Sequence, residues 1–119
     1  IVIATGSVPA KLPIPGIDAA DIYTPNWDVK TKAAQGVLAT GQIWTSNEAV
    51  SAKQIPQELV VIGGGVIGCE FAYTYNGLGA KVTIVEFLPG LIANMDADLS
   101  AELEKILKKQ GVTVRTNAK

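Results

Sequence analysis

The sequence predicts an α/β fold in which parallel strands alternate with helices, and two observations support this prediction. From Leu59 onward, three short apolar runs alternate with two longer segments whose apolar residues recur at helical spacing. The first of these runs passes directly into a glycine-rich turn and then into a helical segment. Because crossovers between parallel strands are right-handed, we expect a sheet with neighbouring strands in the order 3-2-1.

The first part of the chain is predicted to contain little regular structure. Residues 1–4 are apolar and end at Thr5-Gly6-Ser7, which predicts a short buried strand followed by a turn. Five of the six prolines occur between residues 8 and 57, where periodicity is weak, as is typical of a connecting region. Within this region, Ser46 is predicted to cap a short helix.

The first β-α-β unit is predicted after Pro56. Residues 59–62 are continuously apolar, which is typical of a parallel strand buried on both faces. A helix is predicted over residues 66–78, with Gly79 just beyond its end. Residues 82–86 are β-branched at four of five positions and predict the second strand.

A second helix and a third strand are predicted to complete the pattern. Asp96 can cap this helix, and Gly111 can end it. Residues 112–115 then predict the third strand. The apolar side of the helix has the spacing i, i+4, i+7, i+8 and consists of Leu99, Leu103, Ile106 and Leu107.

The turn after the first strand contains the motif G-x-G-x-x-G, formed by Gly63, Gly65 and Gly68. Gly63 allows the tight turn, the missing Cβ at Gly65 lets the backbone approach a pyrophosphate, and Gly68 allows the helix to pack closely on the strand. The N–H groups at the helix N-terminus also attract phosphates. This arrangement predicts a Rossmann-like dinucleotide-binding site. We favour this interpretation over the alternative of a purely structural glycine turn.

Glu86, at the end of the predicted second strand, indicates which dinucleotide is bound. A carboxylate in this position can accept hydrogen bonds from the ribose hydroxyls and would repel a 2′-phosphate. The following residues, Phe87-Leu88-Pro89-Gly90, contain no Arg or Lys that could neutralise such a phosphate. The sequence therefore favours NAD over NADP.

Composition excludes several other classes of function. The 119 residues carry a formal net charge of -1 and contain no basic cluster, which argues against binding to nucleic acid or to an anionic membrane. No apolar run approaches the roughly 18 residues of a membrane span. The chain has no His, and Cys69 is its single cysteine, so it can form neither an internal disulfide nor a C-x-x-C metal or redox pair, and no catalytic acid–base pair can be assembled. We therefore predict no catalytic residue and no metal site in this chain, and interpret Cys69 as a small buried residue.

Five segments together resemble the flavin-dependent pyridine nucleotide-disulfide oxidoreductases, and most of all their dihydrolipoamide dehydrogenase branch. The resemblance covers most of the chain outside roughly residues 19–42, and the connection in that region is longer than is usual in the family. The matching segments are Ile1-Val2-Ile3-Ala4-Thr5-Gly6-Ser7, Thr45-Ser46-Asn47-Glu48-Ala49, residues 60–70, Leu78-Gly79-Ala80-Lys81-Val82-Thr83 and Glu86-Phe87-Leu88-Pro89.

The resemblance implies roles for individual residues toward two cofactors, FAD and NAD. It places Glu70, which could otherwise be an exposed helix position, near the nicotinamide and flavin, paired with a lysine of the FAD domain. Glu86 would bind the ribose. The turn that contacts FAD would be formed by Thr5, Gly6 and Ser7, the cradle of the NAD pyrophosphate by Gly63, Gly64, Gly65 and Gly68, and the nicotinamide-facing surface by Val66 and Ile67.

The resemblance also implies a domain organisation. Residues 1–10 would be the C-terminal edge of an FAD-binding domain, residues 11–56 a connector, and residues 57–119 the N-terminal half of an NAD-binding domain. The absence of an initiator Met predicts an internal part of a longer protein. The family's disulfide-forming cysteine pair and its dimerisation domain are absent from the chain, so we expect it to be inactive in isolation. We also expect it to be poorly stable alone, because its parallel strands lack their neighbours and the predicted first strand lacks its whole sheet.

The complete protein is expected to oxidise dihydrolipoamide, with NAD as hydride acceptor. Its substrate would be carried on the lipoyl domains of 2-oxoacid dehydrogenase complexes, the enzyme would be a homodimer, and its compartment would be the bacterial cytoplasm or the mitochondrial matrix. Two alternatives stay open at this point. The first is an NADH oxidase or another flavin disulfide reductase of the family, and the second is a non-catalytic nucleotide-sensing module.

Overall fold

The computed structural model describes residues 44–119. The predicted first strand, the turn Thr5-Gly6-Ser7 and residues 11–43 of the predicted connector lie outside the described residues, and the predicted domain boundaries stay predictions. The chain divides into two units between Ser51 and Ala52, and each is considered by itself.

The described part of the first unit contains one short helix, α1 (Ser46–Ser51). Thr45 caps it, because its Oγ1 accepts a hydrogen bond from the Asn47 N–H at 3.3 Å. In return, Glu48 Oε2 accepts from the Thr45 N–H at 2.8 Å, which is the returning bond of a capping box. The predicted cap at Ser46 is therefore wrong by one residue, because the reciprocal bond requires the acidic residue three positions after the cap.

The second unit contains a three-stranded parallel sheet in which β1 (Glu58–Ile62), β2 (Lys81–Val85) and β3 (Thr113–Arg115) are neighbours in that order, which confirms the predicted α/β fold and strand order. In the register of the strands, Val60 lies opposite Thr83, and Ile84 lies opposite Val114. The carboxyl ends of all three strands therefore lie at the same edge of the sheet. The elements are β1 (Glu58–Ile62), α2 (Val66–Gly77), β2 (Lys81–Val85), α3 (Ala97–Lys109) and β3 (Thr113–Arg115).

The hydrophobic core of this unit is centred on β2. Val82 and Ile84, two residues apart on this strand, are fully buried. Helix α2 packs against β1 and β2, whereas α3 contacts β3. The other buried residues come from both helices and the connecting segments and are Cys69, Ala72, Tyr75, Ala80, Leu91, Ile92, Leu107 and Val112.

Strand β1 differs from its prediction, because only one of its faces is covered within the described residues. Leu59 and Val61 are partly buried, whereas Val60 is 61% and Ile62 is 48% exposed. The strand lies at an edge of the described sheet, and α2 covers one of its faces. Continuous apolarity therefore did not by itself indicate burial on both faces.

The helix ends agree with the predictions. Asp96 caps α3, since its carboxylate accepts from the Asp98 N–H at 3.0 Å. Gly79 and Gly111 follow α2 and α3 with φ of +97° and +99°, which glycine adopts without strain. Lys108 Nζ lies 2.6 Å from Glu104 Oε1, one turn away. None of the helices within residues 44–119 is long and apolar enough to cross a membrane.

Candidate functional site

The glycine-rich turn joins β1 to α2 at the carboxyl edge of the sheet. Gly63 has φ of +102°, and its N–H donates to the Val85 carbonyl of the neighbouring strand at 2.9 Å. Helix α2 begins at Val66 with Gly65 as its N-cap, and no side chain caps this terminus. The first N–H groups of the helix therefore face outward without a side-chain acceptor, an arrangement suited to an anion.

Gly68 and Gly65 meet different surroundings. A Cβ at Gly68 would collide with the Gly63 carbonyl oxygen and lie 3.2 Å from Val61 Cγ1, so this glycine is required for close packing of α2 on the turn. At Gly65, by contrast, no atom of the described residues lies within 4 Å of the position of a Cβ. The turn is thus tightly packed beneath Gly68 and open at Gly65, where a ligand would lie.

Gly64 is buried, and its surroundings also leave no room for a side chain. A Cβ there would lie 2.5 Å from Leu91 Cδ2 and 3.2 Å from Glu86 Oε2. The sequence motif leaves this position unrestricted, so sequence reasoning placed Gly64 in the cradle without finding this requirement. The only available signal was the third glycine in Gly63-Gly64-Gly65.

The Glu86 carboxylate lies directly beside the turn. Its Oε2 accepts from the Gly64 N–H at 2.5 Å, and its Oε1 accepts from the Leu88 N–H at 2.6 Å. One side chain therefore binds both the glycine turn and the loop after β2. Because each carboxylate oxygen can accept more than one hydrogen bond, ribose hydroxyls can still be bound.

The start of α2 also presents an exposed face next to the turn. Val66 and Ile67 are exposed, the latter by 61%, although both are apolar. Glu70 lies four and three positions after them, on the same side of the helix, and is exposed as well. The structure therefore brings Val66, Ile67 and Glu70 together beside Gly65. The residues from 44 to 119 contain no group of acidic, His or Cys side chains that could hold a metal ion.

Cys69 lies beneath the turn, with only 5% of its surface exposed. Its Sγ donates to the Gly64 carbonyl oxygen at 3.4 Å. Burial raises the pKa of the Cys69 thiol, and the negative charge of Glu86 raises it further. The thiol is therefore protonated at neutral pH, which agrees with the interpretation of Cys69 as a structural residue.

This raised pKa predicts a pH dependence of stability. The protonated thiol is favoured in the folded state, so its contribution is fully present below the unfolded thiol pKa of about 8.5 and is lost as pH rises through the folded value. We expect the thermal midpoint of the purified protein to fall more steeply above about pH 8.5 than that of Cys69→Ala.

Iodoacetamide labelling provides a second measurement. The labelling that is lost in Cys69→Ala reports on Cys69 alone, and at neutral pH we expect it to be about tenfold slower than the labelling of a free thiol. Rapid labelling of Cys69 in the folded protein would contradict this assignment.

Comparison with known proteins shows similarity along the whole chain. Residues 1–119 match the family described as pyridine nucleotide-disulphide oxidoreductase. The dihydrolipoyl dehydrogenase of Acholeplasma laidlawii is 36% identical over 99% of this chain and 30% of the relative. The mitochondrial dihydrolipoyl dehydrogenase of Schizosaccharomyces pombe is 37% identical over 97% of this chain and 24% of the relative. The chain thus spans less than a third of these relatives.

Two solved structures show a similar arrangement. The Cu(II) complex of the HOCl-induced flavoprotein disulfide reductase of Escherichia coli has a TM-score of 0.62 and 35% identity, over 70% of this chain and 19% of the other. The water-forming NADH oxidase of Lactobacillus brevis, bound to NADH, has a TM-score of 0.59 and 28% identity, over 94% of this chain and 22% of the other.

Proposed function

Because the chain belongs to the pyridine nucleotide-disulphide oxidoreductase family, we propose that residues 57–119 form the first half of an NAD-binding domain in a flavoprotein. The observation that carries this proposal is the contact between Glu86 and the glycine turn, with Oε2 at 2.5 Å from the Gly64 nitrogen. This contact joins the residue that would bind the ribose to the turn that would bind the pyrophosphate.

The residues present fit a dinucleotide. The open side of Gly65 leaves room for a pyrophosphate, and the uncapped start of α2 supplies N–H donors to it. Val66, Ile67 and Glu70 form an exposed face next to this position, where the nicotinamide would lie against the flavin. In this arrangement NAD supplies the hydride acceptor, whereas the chain binds and orients it.

We propose dihydrolipoamide as the reductant of the complete protein, in line with the names of the relatives from Acholeplasma laidlawii and Schizosaccharomyces pombe. The substrate would be carried on lipoyl domains of a 2-oxoacid dehydrogenase complex, and the complete enzyme would be a homodimer. Thr5, Gly6 and Ser7 would contact FAD in the complete protein. These proposals concern parts of the enzyme beyond the described residues.

An NADH oxidase is the second candidate, favoured by the structural similarity to the Lactobacillus brevis oxidase over 94% of the chain. The two candidates differ in the electron acceptor and in the thiol chemistry of the complete protein. Purified protein that consumes NADH with oxygen but not with lipoamide would favour the oxidase. Turnover of dihydrolipoamide with NAD would favour the dehydrogenase, and NAD binding without either reaction would favour a nucleotide sensor.

The full-length protein is expected to prefer NAD to NADP by at least tenfold in kcat/KM, an effect of about 1.4 kcal/mol. The physical reason is that the Glu86 carboxylate repels a 2′-phosphate, whereas Phe87-Leu88-Pro89-Gly90 provides no cation to attract one. Initial rates with each nucleotide, at saturating dihydrolipoamide, measure the preference. A preference for NADP would refute the role assigned to Glu86.

A further inference from the structure

The peptide group between Leu91 and Ile92 connects helix α3 to the glycine turn. Ser100, in the first turns of α3, donates its hydroxyl to the Leu91 carbonyl oxygen at 2.5 Å. The N–H of the same peptide group, which belongs to Ile92, donates to the Gly64 carbonyl oxygen at 2.7 Å. A single peptide plane is therefore held by Ser100 at one end and holds Gly64 at the other.

Ile92 adopts a backbone conformation that β-branched residues rarely adopt. Its φ is +42°, in the left-handed region where the Cβ is crowded. The residue is kept there by its surroundings, since its side chain is buried and its carbonyl accepts from the Met95 N–H at 2.8 Å. A strained residue that is fixed by its neighbours points to a constraint on geometry, and the constrained group here is the N–H that reaches Gly64.

Fixing the Gly64 carbonyl also fixes the direction of the next N–H. The Gly64 carbonyl and the Gly65 N–H belong to one planar trans peptide, so they point in opposite directions. The carbonyl is held on the inner side by the Ile92 N–H and the Cys69 thiol, at 2.7 and 3.4 Å. The Gly65 N–H must therefore point away from this inner side of the turn.

We propose that Ser100 is a positioning residue for the pyrophosphate of the bound dinucleotide. Through the Leu91–Ile92 peptide it orients the Gly64 carbonyl, and through that peptide plane it directs the Gly65 N–H at the phosphate oxygens. This inference rests on the proposed function as an NAD-binding domain. Ser100 itself does not touch the nucleotide, so its effect is expected on binding rather than on the chemical step.

Replacing Ser100 with alanine in the full-length enzyme tests the proposal. We expect S100A to raise the KM for NAD about threefold to tenfold, the loss that corresponds to one misaligned hydrogen bond. The kcat at saturating NAD should stay within about twofold of the wild type, because Ser100 acts only through the main chain of the turn. S100T, which keeps the hydroxyl, should restore most of the NAD affinity.

Ser51→Ala provides a matched control in the other unit. Its hydroxyl also donates to a main-chain carbonyl, that of Asn47 at 2.7 Å, so the same chemical group and the same kind of hydrogen bond are removed. Thermal midpoints of both variants separate a loss of stability from a loss of NAD affinity. If S100A is insoluble, S100C replaces it, since the thiol is a much weaker donor, and the same rise in KM is expected.

Each result decides the proposal. An S100A enzyme with the NAD KM of S51A would overturn the positioning role while leaving the proposed function intact. A drop in kcat equal to the loss in kcat/KM, with KM unchanged, would also overturn it. A wild-type enzyme that does not use NAD at all would refute the proposed function and, with it, this inference.

Discussion

Replacing Gly68 with alanine is expected to destabilise the protein by about 3 kcal/mol, at the upper end of the range for overpacked sites. The new Cβ would collide with the Gly63 carbonyl oxygen and lie 3.2 Å from Val61 Cγ1. Both neighbours belong to the turn or to β1, so the clash can be relieved only by moving α2 away from the sheet. Such a movement would also displace the start of the helix, and we expect NAD binding to be lost.

Gly77→Ala is the matched control for this change, because it makes the same substitution in the same helix. No atom of the described residues lies within 4 Å of a Cβ at Gly77. Alanine should therefore be neutral there or stabilise the protein by up to about 1 kcal/mol, through its higher helix propensity. Urea unfolding of the two variants, together with their KM for NAD, measures the difference. Equal stabilities would show that the packing of α2 on the turn does not require Gly68.

Replacing Glu86 with alanine is expected to lower kcat/KM for NAD by about tenfold to a hundredfold. The variant removes the charged acceptor of the Gly64 N–H at 2.5 Å and of the Leu88 N–H at 2.6 Å. One hydrogen bond to a charged group contributes about 1.5–3 kcal/mol, so losing one such bond to the ribose corresponds to about this range. The ribose hydroxyls would lose their acceptor as well, and the repulsion of a 2′-phosphate would disappear. The ratio of NADP to NAD efficiency should therefore rise.

Two further variants separate charge from hydrogen bonding at this position. Glu86→Gln keeps the size and one oxygen acceptor, so it should retain part of the NAD affinity while also weakening discrimination against NADP. Glu102→Ala removes a carboxylate from α3 that forms an exposed ion pair with Lys105, at 3.1 Å. It should leave kcat/KM unchanged for both NAD and NADP. Steady-state rates with both nucleotides measure these effects. An E86A enzyme within twofold of the wild type for NAD would rule out the proposed role of Glu86.

The local elements of the second unit could be predicted closely from the sequence. The helix ends at Gly79 and Gly111 and the Asp96 cap follow from residues whose preferences are set by their own backbone or by a neighbour two positions away. The prediction failed at Ser46, where two adjacent hydroxyl residues could both serve as a cap and the position of Glu48 selected Thr45. It also failed at Val60 and Ile62, because burial of a strand depends on which elements lie beside it.

The sequence by itself determined the alternation of strands and helices, the parallel order of the sheet and the position of the glycine turn. These features depend on short-range periodicity and on backbone preferences, together with the fixed hand of crossovers. Only the tertiary structure decided how the turn is held. The crowding at Gly64 against Leu91 and Glu86, and the hydrogen bond from the Ile92 N–H to the Gly64 carbonyl, arise where segments distant in sequence meet. No local sequence pattern predicts these contacts, because their geometry is set by the packing of whole elements against one another.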